Sequence, residues 1–364
     1  MSYNFSFWEE DSLLQSFDII IIGAGIVGLS SALFYKRAHP SARVVVLERG
    51  FLPSGASTRN AGFACVGSIG EHLADIKKES QDIVKERIVR RYRGLERLKE
   101  VIGEEAIGYR HCGGYEFFTS GDTFNRVSSE VERFNSWMEE LIGESQVYTP
   151  TKMEGYSVIQ NRLEGSLHPG KMIQALVQKV NAAGITIKWN STVEKTTADG
   201  KVYITKGPTL KAGQVLHAAN GFIRKLISDL DVAPGRGYVL VTNEQKELPW
   251  KGIFHHDRGY VYFRNVGQRL LIGGARNIDK EQEETEQFGV NPKIKKQLIQ
   301  FVDEVLQLPQ NWEIASEWSG IMGFSSNKSP IVRQVDNRRF VAAGLSGMGI
   351  AIGMDVAEQA VEML

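Results

Sequence analysis

The sequence predicts an α/β fold in which a parallel sheet with packed helices is interleaved along the chain with a second, antiparallel part. Three observations support this prediction. An apolar strand pattern at residues 18–22 runs directly into a glycine-rich turn, a helix and a second strand that ends at Glu48. From Gly235 the pattern changes to short, closely spaced strands separated by turns such as 265–268, which is typical of an antiparallel sheet. Residues 339–363 then return to a strand, another glycine-rich turn and a closing helix.

The first segment has the spacing of a dinucleotide fingerprint, Gly-x-Gly-x-x-Gly followed about 20 residues later by an acid. Gly23 permits the tight turn, Gly25 lets the backbone approach a pyrophosphate, and Gly28 lets the helix pack closely on the strand. The helix, which we expect to end near His39, presents its N-terminal amides and dipole to the phosphates. Glu48 ends the second parallel strand and is predicted to accept a hydrogen bond from a ribose hydroxyl.

The composition is typical of a protein of about two domains that share a large core. The 364 residues are 42% hydrophobic and carry 43 basic and 43 acidic side chains, so no global charge attracts nucleic acid or anionic lipid. The apolar run 19–34 is shorter than the roughly 20 residues of a membrane span and contains three glycines. We therefore expect a cytoplasmic protein without a membrane span or a nucleic-acid partner.

Cysteine and histidine spacing gives no metal site. Cys65 and Cys112 lie outside any metal-ligand spacing and are predicted to be reduced thiols in the core. His255 and His256 are neighbours on a predicted strand and should point to opposite faces, which argues against a shared metal.

A basic cluster alternates with glutamates on one predicted helix, whose apolar stripe includes Ile76, Ile83, Ile88 and Leu95. We interpret the cluster as a solvated helix face. Its members are Arg87, Arg90, Arg91 and Arg93.

Two further glycine-bearing segments have no role in a nicotinamide dehydrogenase. One is the polar turn at 54–63, shortly after the strand that ends at Glu48. The other is the strand and turn at 339–350. An NAD-linked enzyme would use the first fingerprint and leave both of these segments unexplained.

With these three segments together, the chain resembles the D-amino-acid oxidase family of flavoproteins over nearly its whole length. The family includes glycine oxidase, sarcosine oxidase and gamma-glutamylputrescine oxidase, and the last two carry related forms of Gly-Ala-Ser-x-Arg-Asn-x-Gly and Gly-x-Ser-Gly-x-Gly. The resemblance implies FAD, with the first segment at the pyrophosphate, the second beside the isoalloxazine and the third over the pyrimidine edge of the ring. The cofactor-binding residues that it implies are Gly23, Gly25, Ile26, Val27, Gly28, Glu48, Arg49, Ser57, Thr58, Arg59, Asn60, Ala61, Gly62, Val193, Ala219, Gly344, Ser346, Gly347, Met348, Gly349 and Ile350.

The resemblance also implies a domain organisation. An FAD-binding domain of Rossmann type, similar to that of glutathione reductase, is expected at 1–85, 151–234 and 325–364. An α+β substrate domain built on an antiparallel sheet is expected at 86–150 and 235–324. The substrate should lie between this sheet and the flavin.

Substrate recognition is expected to differ from that of the family's amino-acid oxidases. Their arginine that clamps the substrate carboxylate follows a Trp/Thr-x-Gly step, and Met322 stands at that position here. Tyr260 matches a tyrosine that contacts substrate in glycine oxidase, whereas Arg276 stands where that enzyme has an apolar pocket side chain. We expect the cationic group at Arg276, with Arg59 as the other candidate. The alternative is that Arg276 is a surface residue that precedes a charged loop.

The resemblance predicts that FAD is held without a covalent bond. Relatives that attach FAD covalently use a histidine in the second segment or a cysteine in the C-terminal third. Asn60 stands at the histidine position and no cysteine follows Cys112. His72 and His111 are the alternative attachment sites.

The predicted function is oxidation of a primary or secondary amine, an amino acid or a derivative, by hydride transfer to flavin N5 and hydrolysis of the imine. Since the cofactor carries the redox chemistry, the protein has to supply binding, orientation and electrostatics. Oxygen or another electron acceptor would reoxidise the flavin. The alternatives are an NAD-linked Rossmann dehydrogenase and a flavin-binding or electron-transfer subunit without catalysis of its own.

Overall fold

The computed structural model describes residues 4–14, 16–309 and 311–364. The strands are β1 (Phe17–Ile22), β2 (Val44–Leu47), β3 (Phe63–Ala64), β4 (Gly114–Phe118), β5 (Tyr148–Met153), β6 (Tyr156–Asn161), β7 (Gly165–Ser166), β8 (Thr186–Lys188), β9 (Val193–Thr196), β10 (Lys201–Ile204), β11 (Thr209–His217), β12 (Ala233–Thr242), β13 (Ile253–His256), β14 (Val261–Val266), β15 (Arg269–Gly274), β16 (Ile314–Phe324), β17 (Ile331–Gln334) and β18 (Arg339–Ala343). The α-helices are α1 (Ile26–Ala38), α2 (Ala56–Arg59), α3 (Ile69–Ile76), α4 (Gln81–Ile102), α5 (Gly121–Ser128), α6 (Val131–Ile142), α7 (Pro169–Ala182), α8 (Pro292–Phe301) and α9 (Gly349–Glu362). None of the helices in the described ranges is both long and apolar enough to cross a bilayer.

The chain forms two compact units. Unit 1 contains the described residues of Met1–Thr58, Gly170–Gly235 and Met322–Leu364, and unit 2 contains Arg59–Pro169 and Arg236–Ile321. Two segments that the sequence analysis assigned to the cofactor domain, within 59–85 and 151–169, therefore pack in unit 2. The reason is non-local pairing, since β3 pairs with β7, β6 pairs with β4, and α3 shares an apolar cluster with α4.

Unit 1 is built on a sheet whose strands β8, β2, β1, β11 and β18 run parallel, with β17 antiparallel at the edge. The apolar run of β1 is buried on both faces, and Ile20 lies between Val45 and Val215. This is the pattern expected of a central parallel strand. The predicted helix after the first glycine turn is confirmed as α1, which ends at Ala38.

Unit 2 is built on a sheet of order β16-β12-β15-β14-β13-β4-β6-β5. The strand pairs of residues 236–274 are antiparallel, as predicted, and Gly267 forms the turn between β14 and β15 with a φ of +61°. Strands β4 and β13 run parallel, which was not predicted from the sequence. They can do so because β4 enters the sheet from the distant segment that precedes β5.

The two faces of the unit 2 sheet differ in chemistry. One face packs against α8 in an apolar cluster that includes Phe254, Phe263 and Leu298. Side chains of the other face include Tyr262 and Leu271, which pack against β3 and its flanking residues. We call this second face the polar face, because Glu116, His255 and Arg264 also belong to it by strand alternation and register. His256 contacts the ring of Phe301 on the α8 side, so the predicted opposite orientation of the two histidines is confirmed.

The interpretation of the basic cluster as a solvated helix face is wrong for Arg87 and Arg91, which are 5% and 3% exposed. The predicted single helix is two helices, α3 and α4, separated at residues 77–80, and Ile83 of the predicted apolar stripe is exposed. Because α3 folds back onto α4, its carboxylates reach the arginines of α4. Arg93 is exposed as predicted, and Arg90 is half-buried.

Candidate cofactor and substrate sites

The turn between β1 and α1 in unit 1 requires glycine for steric reasons. Gly23 has a φ of +108°, and a Cβ there would lie 2.7 Å from the carbonyl oxygen of Ala218. A Cβ at Gly28 would overlap the carbonyl oxygen of Gly23. The first amide of α1, Ile26 N–H, donates to Ser57 Oγ at 3.0 Å. Backbone amides at a helix N-terminus and a hydroxyl of the second segment thus meet where a pyrophosphate is expected.

Glu48 lies at the end of β2 and is 7% exposed. Its Oε2 accepts from Ala24 N–H at 2.9 Å, and its Oε1 accepts from Gly50 N–H at 3.0 Å. These two bonds hold the carboxylate beside the glycine turn. A carboxylate has about four acceptor positions, so it retains the capacity to accept ribose hydroxyls. The residues present therefore fit a dinucleotide.

The third glycine segment is held by a residue to which the sequence analysis gave no role. Asn220 Oδ1 accepts from Gly344 N–H at 3.0 Å and from Leu345 N–H at 3.5 Å. Asn220 adopts a left-handed conformation, with a φ of +43°, that asparagine tolerates better than most residues. Ser346 N–H in turn donates to Gly323 O at 2.9 Å. Asn220 lies in the turn after β11, and only the tertiary structure shows that its partner is the third glycine segment.

In unit 2 the second segment is anchored through Arg59. Its Nη1 donates to Ser319 O at 2.9 Å, and its guanidinium lies 4.6 Å from the centre of the Phe288 ring. Trp318 Nε1 donates to the Arg59 carbonyl at 3.0 Å. Asn60 Oδ1 accepts from Gly62 N–H at 2.8 Å. The Arg59 guanidinium thus already serves to fix this segment on β16.

Tyr260 and Arg276 lie at the same end of the β14–β15 hairpin. Ala275 N–H donates to Tyr260 O at 2.6 Å, and Ala275 has a φ of +55° that turns the chain into the short helix starting at Arg276. Tyr260 is 43% exposed and Arg276 is half-buried. Burial lowers the pKa of Arg276, and the charges of Glu284 and Glu283 oppose this shift.

A buried polar cluster that sequence spacing did not reveal lies in unit 2. Donor atoms of Cys65, Glu164 and His255 lie within 4.8 Å of one another. Glu164 Oε1 accepts from Val66 N–H and Gly67 N–H at 3.0 and 2.9 Å, and Oε2 lies 3.0 Å from His255 Nε2. Burial raises the pKa of the Cys65 thiol well above its usual range, which disfavours the thiolate that metals prefer. Glu164 and His255 are thus held by hydrogen bonds within unit 2.

Glu116 is the neighbour of His255 across the β4–β13 pair. Both of its carboxylate oxygens accept from Gly70 N–H, at 3.1 and 3.0 Å. Burial raises the pKa of Glu116 to about 7. Burial lowers and the Glu164 carboxylate raises the pKa of His255, and the net shift is upward.

A glycine turn beside a buried acid at the end of the next strand, together with a third glycine segment tied to the same sheet, is typical of a dinucleotide-binding protein of the α/β class. A family model described as FAD dependent oxidoreductase, DAO, matches residues 18–363. The chain belongs to this family, and its cofactor is FAD. This assignment removes the NAD-linked alternative.

Named relatives are similar over most of their length. The chain is 24% identical to a probable oxidoreductase OrdL of Rhizobium meliloti, over 92% of this chain and 80% of that protein. It is also 24% identical to gamma-glutamylputrescine oxidoreductase of Escherichia coli, over 93% and 82%. The crystal structure of glycine oxidase from Geobacillus kaustophilus has a TM-score of 0.74 at 20% identity, covering 96% of this chain and 95% of that one. The structural likeness confirms the predicted fold.

Proposed function

We propose that this enzyme oxidises a primary or secondary amine, an amino acid or a derivative of one. The family match over residues 18–363 carries the proposal, and relatives named for glycine and for gamma-glutamylputrescine support the choice of an amine. When bound, FAD supplies a hydride acceptor at its N5 atom. The chain's contribution is to bind and orient, because holding two reactants in the right geometry removes much of the barrier.

We further propose that Arg276 and Tyr260 contact the substrate, with Arg59 as the other candidate cation. Arg276 is half-buried at a hairpin end, where a guanidinium is partly shielded from water and can form charge-assisted bonds to a carboxylate. Arg59 already donates to Ser319 O and stacks on Phe288, so it is the weaker candidate.

FAD is proposed to be held without a covalent bond. The surroundings of the two alternative histidines support this. His72 is buried, stacks on the ring of Phe134, and burial lowers its pKa to about 4. His111 is exposed, and its Nε2 lies 2.5 Å from the carbonyl oxygen of Arg162. Acid precipitation should release all flavin into the supernatant, whereas flavin that stays with the pellet would contradict the proposal.

The decisive experiment is anaerobic mixing of the yellow holoenzyme with a panel of amines and amino acids while the flavin absorbance is recorded. We expect at least one primary or secondary amine to bleach the flavin and release an imine-derived carbonyl product. Alcohols and hydroxy acids of the same carbon skeleton are the matched controls. Bleaching by hydroxy acids alone would overturn the choice of an amine, and no bleaching by any substrate would favour the non-catalytic subunit.

A further inference from the structure

Arg264 is a buried cation of unit 2 that lacks a counter-ion. The residue is 7% exposed, and its Nη1 donates to Gly62 O at 3.2 Å. Its Nε is buried and has no hydrogen-bond partner among the residues that the structure describes. No carboxylate in the same residues forms an ion pair with it.

Of the charged groups near Arg264, Cys112 raises its pKa and Arg110 lowers it, and no carboxylate of the described residues is among them. Burial lowers its pKa to about 10, and neighbouring Arg110 acts in the same direction. Arg264 therefore stays protonated at neutral pH in spite of its surroundings. Arg110 is exposed, so one member of this arginine pair faces solvent. Cys112 is the other titratable group that influences Arg264, and its thiol lies 3.7 Å from Ser166 Oγ.

Other arginines that are buried or partly buried form ion pairs with carboxylates. Arg87 pairs with Asp75 and Glu79, and Arg236 forms two bonds to the fully buried Glu283. Isolated buried charges are costly, which is why proteins pair them. An anion that reached Arg264 would remove this cost.

We propose that Arg264 forms a binding site for a carboxylate group, to which the charge of nearby Arg110 adds. The planar guanidinium matches a carboxylate in shape and can form two parallel hydrogen bonds to it. Arg264 lies on the polar face, two residues after Tyr262 on β14, and contacts the carbonyl oxygen of Gly62.

The carboxylate has two sources. It is either the carboxylate of the amino-acid substrate, which rests on the proposed function, or a separate small carboxylate that binds beside the substrate. Both use the same chemistry, in which the carboxylate accepts hydrogen bonds from the guanidinium.

The test is binding of sodium benzoate and sodium acetate to the holoenzyme, with sodium chloride at matched ionic strength as the reference. Binding is followed by the shift in melting temperature and by the change in flavin absorbance. Arg264→Met should weaken carboxylate binding by roughly 10- to 150-fold, since a charge-assisted hydrogen bond is lost. Arg264→Lys and Arg110→Met should weaken it less. Arg126→Met, which removes an exposed arginine of α5, should leave it unchanged.

Unchanged benzoate and acetate affinity in Arg264→Met, or no binding to the wild type beyond that of chloride, would overturn the inference. If Arg264→Met does not fold, the carboxylate affinities of Arg264→Lys and Arg110→Met replace it, and unchanged affinity in both would overturn the inference. When the variant also raises the amine concentration for half-maximal flavin reduction, the substrate supplies the carboxylate; when only benzoate affinity falls, a separate ligand does. Flavin that no amine bleaches would defeat the proposed function and leave this site standing.

Discussion

Two regions of unit 2 bury arginine in opposite ways. Between α3 and α4, Arg87 lies 2.9 Å from Asp75 and 2.5 Å from Glu79, and Arg91 lies 3.0 Å from Glu71. On the polar face of the sheet, Arg264 is as deeply buried but has only the carbonyl of Gly62 as a described partner.

The pKa shifts follow the same division. Burial lowers and Glu71 raises the pKa of Arg91, with a net upward shift, so the helix pair stabilises the charged form. On the polar face, burial lowers the pKa of Arg264 to about 10 and raises that of Glu116 to about 7, so both groups are pushed towards neutrality. In the helix pair, buried arginines and carboxylates form ion pairs that stabilise the fold. On the polar face, Arg264 and Glu116 have pKa values shifted by burial, as groups at binding and catalytic sites often do.

The largest effect is expected from Arg87→Met. It leaves Asp75, which is 2% exposed, and Glu79 without their cation, and breaking a buried pair costs about 3–5 kcal/mol. The free energy of unfolding measured in urea at pH 7 should fall by that amount. Adding Asp75→Asn to the variant should recover part of the loss. A decrease below about 1 kcal/mol would mean that the pair is not important for stability.

Glu116→Gln should change how stability depends on pH. Burial raises the folded pKa of Glu116 to about 7, above its ordinary value of 4.5, so its contribution to stability is present below about pH 4.5 and is lost as pH rises to about 7. This amounts to about 3 kcal/mol. Since glutamine does not titrate, the variant should gain on the wild type by this amount between pH 4.5 and 8. A constant difference in unfolding free energy across this range would refute the shift.

Arg276→Met tests a cation that is half-buried and close to the acids Glu283 and Glu284. If it pairs with the substrate carboxylate, the variant loses a contact worth about 1.5–3 kcal/mol, or roughly 10- to 150-fold in substrate affinity. FAD content should stay the same, and Arg276→Lys should recover only part of the loss because the ammonium lacks the fork. Anaerobic flavin reduction against substrate concentration measures this. Unaltered saturation would make Arg276 a surface residue and turn attention to Arg59.

The smallest effect on stability is expected from Arg264→Met. Replacing a buried unpaired charge by an apolar side chain removes a desolvation cost and one hydrogen bond to Gly62, so the net change should stay within about 1 kcal/mol. Urea unfolding of this variant beside Arg87→Met gives the direct comparison. A loss as large as that of Arg87→Met would show that Arg264 serves the fold and not a ligand.

Short sequence patterns predicted the cofactor turn of unit 1 and the antiparallel strands of unit 2. The spacing of Gly23, Gly25 and Gly28, with Glu48 at the end of the next strand, predicted the cofactor turn because a strand, a tight turn and a helix depend on neighbouring residues. The antiparallel strands after residue 235 could be predicted for the same reason, because each strand and turn depends on neighbouring residues.

Only the tertiary structure decided where charge is buried. The sequence pattern predicted Arg87 on the surface. In the structure α3 folds back and places Asp75, 12 positions away, against it. Asn220 holds Gly344 across 124 positions, and Arg264 reaches Gly62 across 202. Local propensity carries no information about such partners. The free energy of a buried polar group depends on what chain packing places beside it, and that is set by the fold as a whole.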